Sequence, residues 1–209
     1  MANDTSAILK GLKKLYPDPQ CALTHADPFQ LLMATILSAQ CTDERVNQVT
    51  PPLFKEFSSA KKLAKAPLSR VETIIRSTGF FRQKAKSLVI TSQILVEKYG
   101  GKVPRTMEEL LALRGVARKT ANVVLGTAYG LAMGIVVDTH VKRLAKRLGL
   151  THETDPVKVE TDLMTIIPSS DWIWFSHAMI THGRRLCTAR NPDCPHCPLK
   201  AKCPSAGDR

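Results

Sequence analysis

Four cysteines, one lysine and one aspartate are the residues whose types and placement point to chemistry. Cys187, Cys194, Cys197 and Cys203 read C-x6-C-x2-C-x5-C within seventeen residues. Four thiolates this close repel one another unless a cation neutralises them, so the spacing reads as a metal site. A disulfide framework is disfavoured, because the start MANDTSAILKGLKK carries Asp4 early and has no apolar run of signal-peptide length. All-thiolate zinc sites usually pair two short C-x2-C knuckles, and only one is present here. One close pair flanked by two wider arcs suits a 4Fe-4S cube with its spread corners, which ranks iron–sulfur ahead of zinc. His196 lies between two of the cysteines and reads as a turn position. Cys21 and Cys41 lie far away and read as free cysteines in helical surroundings.

Lys119 falls in TMEELLALRGVARKTANVVLGTAYG, which reads as helix, four-residue turn, helix. Thr106 opens the first helix, Leu110, Leu111 and Leu113 bury part of it, and Gly115 permits the reversal. The second helix is expected to start near Ala117 or Arg118. Its first backbone N–H groups point outward with the positive end of the helix dipole, an anion site that can hold a phosphate without reading a base. A cation in that first turn is disfavoured and sheds its proton more easily, which makes Lys119 a candidate Schiff-base nucleophile. The bland alternative is an exposed lysine on a solvated face. Asp138 follows the apolar run GIVV and precedes THVKRLAKRLGL. It reads as the N-cap of that helix, and a carboxylate leaving an apolar run can also serve as a base or cation stabiliser.

Helix punctuation surrounds these residues, and strand alternation is almost absent. Asp27-Pro28, Thr50-Pro51 and Asp155-Pro156 each read as an N-cap with a first-turn proline. Ser69 with Glu72, and Thr106 with Glu109, have capping-box spacing. Gly79, Gly100, Gly115, Gly130 and Gly149 fall where periodic segments end. The reading is all-α, with about ten helices joined by short loops. Trp172, Phe175 and Met179 lie at helical spacing and are expected to pack against the tail, with His182 and His140 in the core or behind the metal ligands. Lys142, Arg143, Lys146 and Arg147 read as a solvated helix face.

The 209 residues suffice for one large domain or two small ones, with a core that needs no cross-links. Apolar residues are 44% and charged ones 23%, which excludes a disordered or fibrous chain. Thirty Lys and Arg against eighteen Asp and Glu leave +12, as expected for a polyanionic partner. The charge is concentrated: residues 76–119 hold ten basic and three acidic side chains, and residues 182–209 hold six and two. Aromatics are 5%, too few for a module that stacks many bases. Residues 121–137 carry no formal charge but include Asn122 and three glycines, so a buried helix and turn are expected there rather than a membrane span.

LRGVARKTANVVL, VDTH at 137–140 and HGRRLCTARNPDCPHCPLKAKC together resemble the endonuclease III family of DNA glycosylases with AP-lyase activity. ILSAQCTD at 36–43 and GFFRQKAKSL at 79–88 follow the same pattern in the same order. The resemblance implies a two-lobed helix-hairpin-helix glycosylase fold with a C-terminal iron–sulfur loop. One lobe would be a helical barrel, 22–131, and the other would join 1–21 to 132–209, with the lesion pocket between them. Arg114, Gly115, Val116, Ala117 and Arg118 would grip the DNA backbone. Lys119 would attack the sugar C1′, Asp138 would be the essential carboxylate, and Cys187, Cys194, Cys197 and Cys203 would ligate a 4Fe-4S cluster. Gln40 and Phe80 would fill the gap left when the damaged nucleotide is extruded.

The implied activity is excision of oxidised pyrimidines from duplex DNA, followed by β-elimination at the abasic site. The implied partner is double-stranded DNA with damaged pyrimidines or abasic sites, met by a cytoplasmic monomer, nucleoid-associated in a bacterium. An adenine-mismatch glycosylase of the same fold is the near alternative, although such relatives usually lack this lysine. A non-catalytic iron–sulfur DNA-binding or redox-sensing module is the distant one. The chain departs from the family's common Leu-Pro-Gly-Val-Gly hairpin at two places, Arg114 for the proline and Ala117 for the second glycine.

Overall fold

The computed structural model describes residues 5–207. Among these residues there are eleven α-helices, three short 3-10 turns and no strand, the all-α architecture expected. Residues 1–4 and 208–209 of the expected second lobe lie outside the described range. No described helix is long and apolar enough to cross a membrane. Two compact units make up the chain: Cys21–Leu131, and the segment ending at Gln20 joined to the chain from Ala132 onward. α1 (Thr5–Leu15) belongs to the second.

The first unit is built round α2 (Pro28–Leu37). Asp27 caps it, accepting from the Gln30 N–H at 2.8 Å, and Pro28 occupies its first turn. Residues 31–37 are all buried, so α2 is surrounded rather than amphipathic. Removing one of these side chains, as in Leu32→Ala, should cost about 3 kcal/mol. α3 (Asp43–Glu56) starts about two turns earlier than Thr50-Pro51 suggests. Thr42 is the cap, and Pro51 and Pro52 lie inside the helix with both rings exposed. The buried spacing of Val46, Val49, Thr50 and Leu53 carries α3 through the prolines.

α4 (Ala60–Leu63) and α5 (Leu68–Ile75) follow. Ser69 is no cap: α5 begins at Leu68 behind Pro67, whose fixed φ starts the helix without a side-chain hydrogen bond. α6 (Phe81–Tyr99) is the long helix on which α2, α4 and α5 pack. α7 (Met107–Leu111) is capped by Thr106, whose hydroxyl accepts from the Glu109 N–H and donates to its carboxylate. α8 (Arg118–Tyr129) packs on α2 and α7.

The second unit holds α1, α9 (Thr139–Arg147), α10 (Pro156–Ile166), α11 (Trp172–Arg185) and the cysteine tail. Asp155 caps α10 with Pro156 in its first turn, as its sequence suggests. Phe175 and Met179 of α11 are fully buried, in the same core as Ile8, Leu12 and Leu199, with Cys187, Cys197 and Cys203 packed against it. Gly11 leaves the space for that contact, since a Cβ there would lie 2.5 Å from the Leu199 side chain.

Candidate active site and cysteine loop

The hairpin turn spans residues 112–117, six residues rather than four. Leu110 and Leu113, three apart, share the buried face of its first arm. Leu111 is one residue off that face and 44% exposed, so it does not join the core as expected. Gly115 has φ +79°, and a Cβ there would stand 3.1 Å from Ser87 on α6, so only glycine fits without displacement. Val116 is buried and its N–H donates to the Leu113 carbonyl at 3.2 Å. Thr91 of α6 donates its hydroxyl to the Arg114 carbonyl at 2.7 Å, fixing the turn from behind.

Ala117 is the N-cap of α8, in extended conformation (φ −99°, ψ 171°), with no side-chain cap. Its backbone therefore makes no demand for glycine, and the departure from the family pattern is steric only. Arg118 is the first helical residue and Lys119 the second. Both are exposed, beside N–H groups that no capping side chain covers.

Gln40 and Phe80 share a property that the sequence did not signal. They are the two non-glycine residues with positive φ among those described, at +52° and +45°. Gln40 does not cap α2, a role taken by Ser38; it stands exposed in the turn before α3. Phe80 precedes α6 and is 68% exposed, while its neighbour Phe81 turns to the core with Arg82 over its ring. A bulky residue held left-handed and outward is a strained arrangement, of the kind that accumulates at working sites.

Asp138 caps α9 as expected, Oδ1 accepting the Val141 N–H at 2.8 Å. Its other oxygen accepts no hydrogen bond among the described residues.

The four tail cysteines are unpaired and line one cavity with Arg147, His182 and Leu144. Among the described residues no three acidic, cysteine or histidine side chains close on one point as a single ion requires. Burial, with the neighbouring cysteines adding to it, pushes the Cys197 and Cys203 thiols up, so four thiolates here need a cationic group between them. His196 points away, exposed and paired with Asp193 at 2.7 Å. His182 is buried, its Nε2 3.7 Å from Cys197 Sγ and its Nδ1 3.1 Å from the Tyr16 hydroxyl. Burial drops its pKa to about 4, so the imidazole is neutral at physiological pH.

Arg143 and Arg147 do not belong to a solvated face. Arg143 Nη2 donates to the carbonyls of Gly183 and Cys187, both at 2.9 Å. Arg147 reaches Cys187 Sγ at 3.3 Å and the Thr188 and Ala189 carbonyls at 2.7 and 2.8 Å. A spacing of four on α9 places both beneath the loop that starts at Cys187. The sequence offered that spacing but nothing to say which side of α9 faces the tail.

Residues 33–169 match the family model described as HhH-GPD superfamily base excision DNA repair protein. The chain is 57% identical to endonuclease III of Synechocystis sp. over 95% of this chain and 91% of that one. It is 44% identical to endonuclease III of Bacillus subtilis, over 90% and 86%. Among solved structures, a trapped endonuclease III–DNA covalent intermediate in an estranged-adenine complex superposes with TM-score 0.94 at 43% identity, over 100% of this chain and 99% of that one. With its hairpin, its helix-capping aspartate and its four-cysteine tail, the chain belongs to the HhH-GPD superfamily of base excision DNA repair proteins and, within it, to the endonuclease III family.

Proposed function

We propose that Lys119 is the amine nucleophile and Asp138 the essential carboxylate of this base excision repair DNA glycosylase/AP lyase. We further propose that oxidised pyrimidines in duplex DNA are the bases it removes. The observation that carries the assignment is the position of Lys119, an exposed amine in the first turn of a hairpin helix beside uncapped N–H groups. Those groups hold a phosphate next to the sugar to be attacked, and the turn behind them is fixed by Thr91 and Gly115. That a protein 43% identical to this one is known as a trapped covalent intermediate with DNA supports a covalent route.

In that route the neutral Lys119 amine attacks C1′ of the extruded nucleotide and the C1′–N bond breaks, the base leaving with its electron pair and taking up a proton. Opening of the sugar ring gives an imine between Lys119 and C1′. Loss of a C2′ proton then expels the 3′ phosphate, and hydrolysis frees the lysine. Asp138 stabilises the positive charge that develops at C1′ through the oxygen its helix does not use. Arg114 to Arg118 supply phosphate contacts, and Gln40 and Phe80 fill the stack.

Cys187, Cys194, Cys197 and Cys203 would hold a 4Fe-4S cluster. Four sulfurs round one cavity, with a single C-x2-C knuckle among them, favour a cornered cluster over one zinc ion. When bound, the cluster supplies a cross-link that folds a tail too short to form a core alone. The lobes of this reading are 22–131 and 1–21 with 132–209, in a monomer acting in the cytoplasm, at the nucleoid in a bacterial cell.

The test is an activity panel on duplexes carrying one lesion each. Oxidised pyrimidines should be released and the strand nicked on the 3′ side. Protein that binds these duplexes and leaves both lesion and abasic strand intact would overturn the reading in favour of a binding module.

A further inference from the structure

Lys84 is a buried cation in a place that disfavours one. It lies in the first turns of α6, where the helix dipole repels positive charge, and it is 6% exposed. Its Nζ donates to the Thr78 carbonyl at 2.7 Å. That carbonyl ends the 3-10 turn at Arg76–Thr78, just before Gly79 and Phe80 reverse the chain in left-handed conformation. Thr78 is itself 2% exposed and anchored to the Ile75 carbonyl through its hydroxyl. Lys84 thus supplies the donor that the reversed backbone cannot.

The same ammonium interacts with the chain just after the other strained residue. Ser92 of α6 donates its hydroxyl to Met33 Sδ at 3.9 Å, and Ser87 and Ile36 both lie against Gly115, so α2 runs toward the start of α6 as it ends. The Lys84 charge is close enough to Cys41 for the two to interact. One buried lysine therefore bonds the turn that leads into Phe80 and interacts with Cys41, the residue that follows Gln40. A hydrophobic side chain of equal length would spare the desolvation of an ammonium; what the cation adds is the directed bond to the Thr78 carbonyl, a constraint on geometry.

We propose that Lys84 is a positioning residue for base extrusion: it holds the turns bearing Phe80 and Gln40 in fixed register, so that both side chains enter the DNA stack together. This rests on the gap-filling reading of those two residues. α6 then serves two ends at once. Lys84 sets the extrusion turns, while Ser87 and Thr91, one and two turns further on, set the phosphate-gripping turn. Extrusion and backbone grip are thereby held on one rigid element.

A preformed abasic site has no base to unstack, whereas a damaged base in a paired duplex must be pulled out. The readout is therefore the ratio of single-turnover base excision from paired duplex to strand nicking at a preformed abasic site. Lys84→Met should lower that ratio about tenfold, since loosened turns repay less of the unstacking cost. In a Phe80→Ala background the added Lys84→Met should lower it less than about twofold, because the side chain it positions is gone. An unchanged ratio in Lys84→Met, or an equal drop in both backgrounds, overturns the proposal and leaves Lys84 a packing residue. If Phe80→Ala and Gln40→Ala both leave the ratio unchanged, the gap-filling reading itself fails and takes the proposal with it. Lys84→Gln, scored by the same outcomes, replaces Lys84→Met should melting curves show that variant unfolded.

Discussion

The hydroxyl of Thr91 donates to the carbonyl oxygen of Arg114 at 2.7 Å, from a side chain with no solvent exposure. One buried hydrogen bond thus ties the middle of α6 to the hairpin turn that precedes Lys119. Together with Gly115 seated against Ser87 and Ile36, it makes the turn a rigid platform rather than a flexible loop. Thr91→Val keeps the shape and leaves that carbonyl without its donor. It should cost about 1–3 kcal/mol in urea unfolding and weaken binding to abasic DNA at constant salt. Unchanged stability and affinity would mean that the turn does not depend on α6.

Ala117→Gly should strengthen binding to abasic duplex or leave it unchanged. The position is extended and uncapped, so glycine removes a methyl from the phosphate approach and is the better N-cap by about 0.5 kcal/mol. Affinity should also fall steeply with salt and depend little on flanking sequence. A clear loss of affinity in Ala117→Gly, measured by fluorescence anisotropy, would mean that the turn does not face phosphate.

Much of this was legible in residue types. The helices announced themselves through Asp27-Pro28, Asp155-Pro156 and Thr106 with Glu109, because a short side chain that can accept an N–H leaves few alternatives to a helix start. Thr50-Pro51 and Ser69 misled for one reason. A local cap signal is only as strong as the nearest competitor, and Thr42 and Pro67 start those helices first. Lys119, Asp138 and the cysteines stood out because their chemistry is tied to spacing along the chain. Arg143, Arg147, Lys84 and Thr91 did not, because their work depends on which face of a helix meets a segment far away in sequence. The strain at Gln40 and Phe80 was equally hidden, since nothing in a glutamine or phenylalanine advertises positive φ.

Iron at the tail should show as a brown protein with broad absorbance at about 400 nm and about four irons per chain. Arg147→Met removes the donor 3.3 Å from Cys187 Sγ and the two carbonyl contacts that shape the loop. It should bleach several-fold faster in air than the parent, followed at the same wavelength. Stoichiometric zinc in protein purified without oxygen would reject the cluster.

Burial holds the Lys84 ammonium below the ordinary lysine range, with Cys41 pulling partly the other way. The folded chain then binds this proton more weakly than the unfolded chain. Stability attributable to Lys84 must rise as pH climbs from the depressed folded value toward about 10.4, the unfolded one. Urea unfolding of the parent and Lys84→Met between neutral and alkaline pH should show the difference moving in the parent's favour. A difference that does not change with pH would mean that Lys84 is not desolvated in the folded chain.

Borohydride trapping on one abasic duplex tests the nucleophile most directly. Parent protein should give a covalent adduct with DNA. Lys119→Gln should give neither adduct nor nick while keeping much of the DNA affinity, because the phosphate grip belongs to backbone N–H groups. Asp138→Asn, measured alongside on a damaged-base duplex, should slow base release far more than it weakens binding. Since any amine forms a little imine, adduct yields must be compared quantitatively at equal protein concentration. Loss of trapping in Lys119→Gln with DNA binding retained is the result this account predicts; a Lys119→Gln protein that traps and nicks as well as the parent would contradict it.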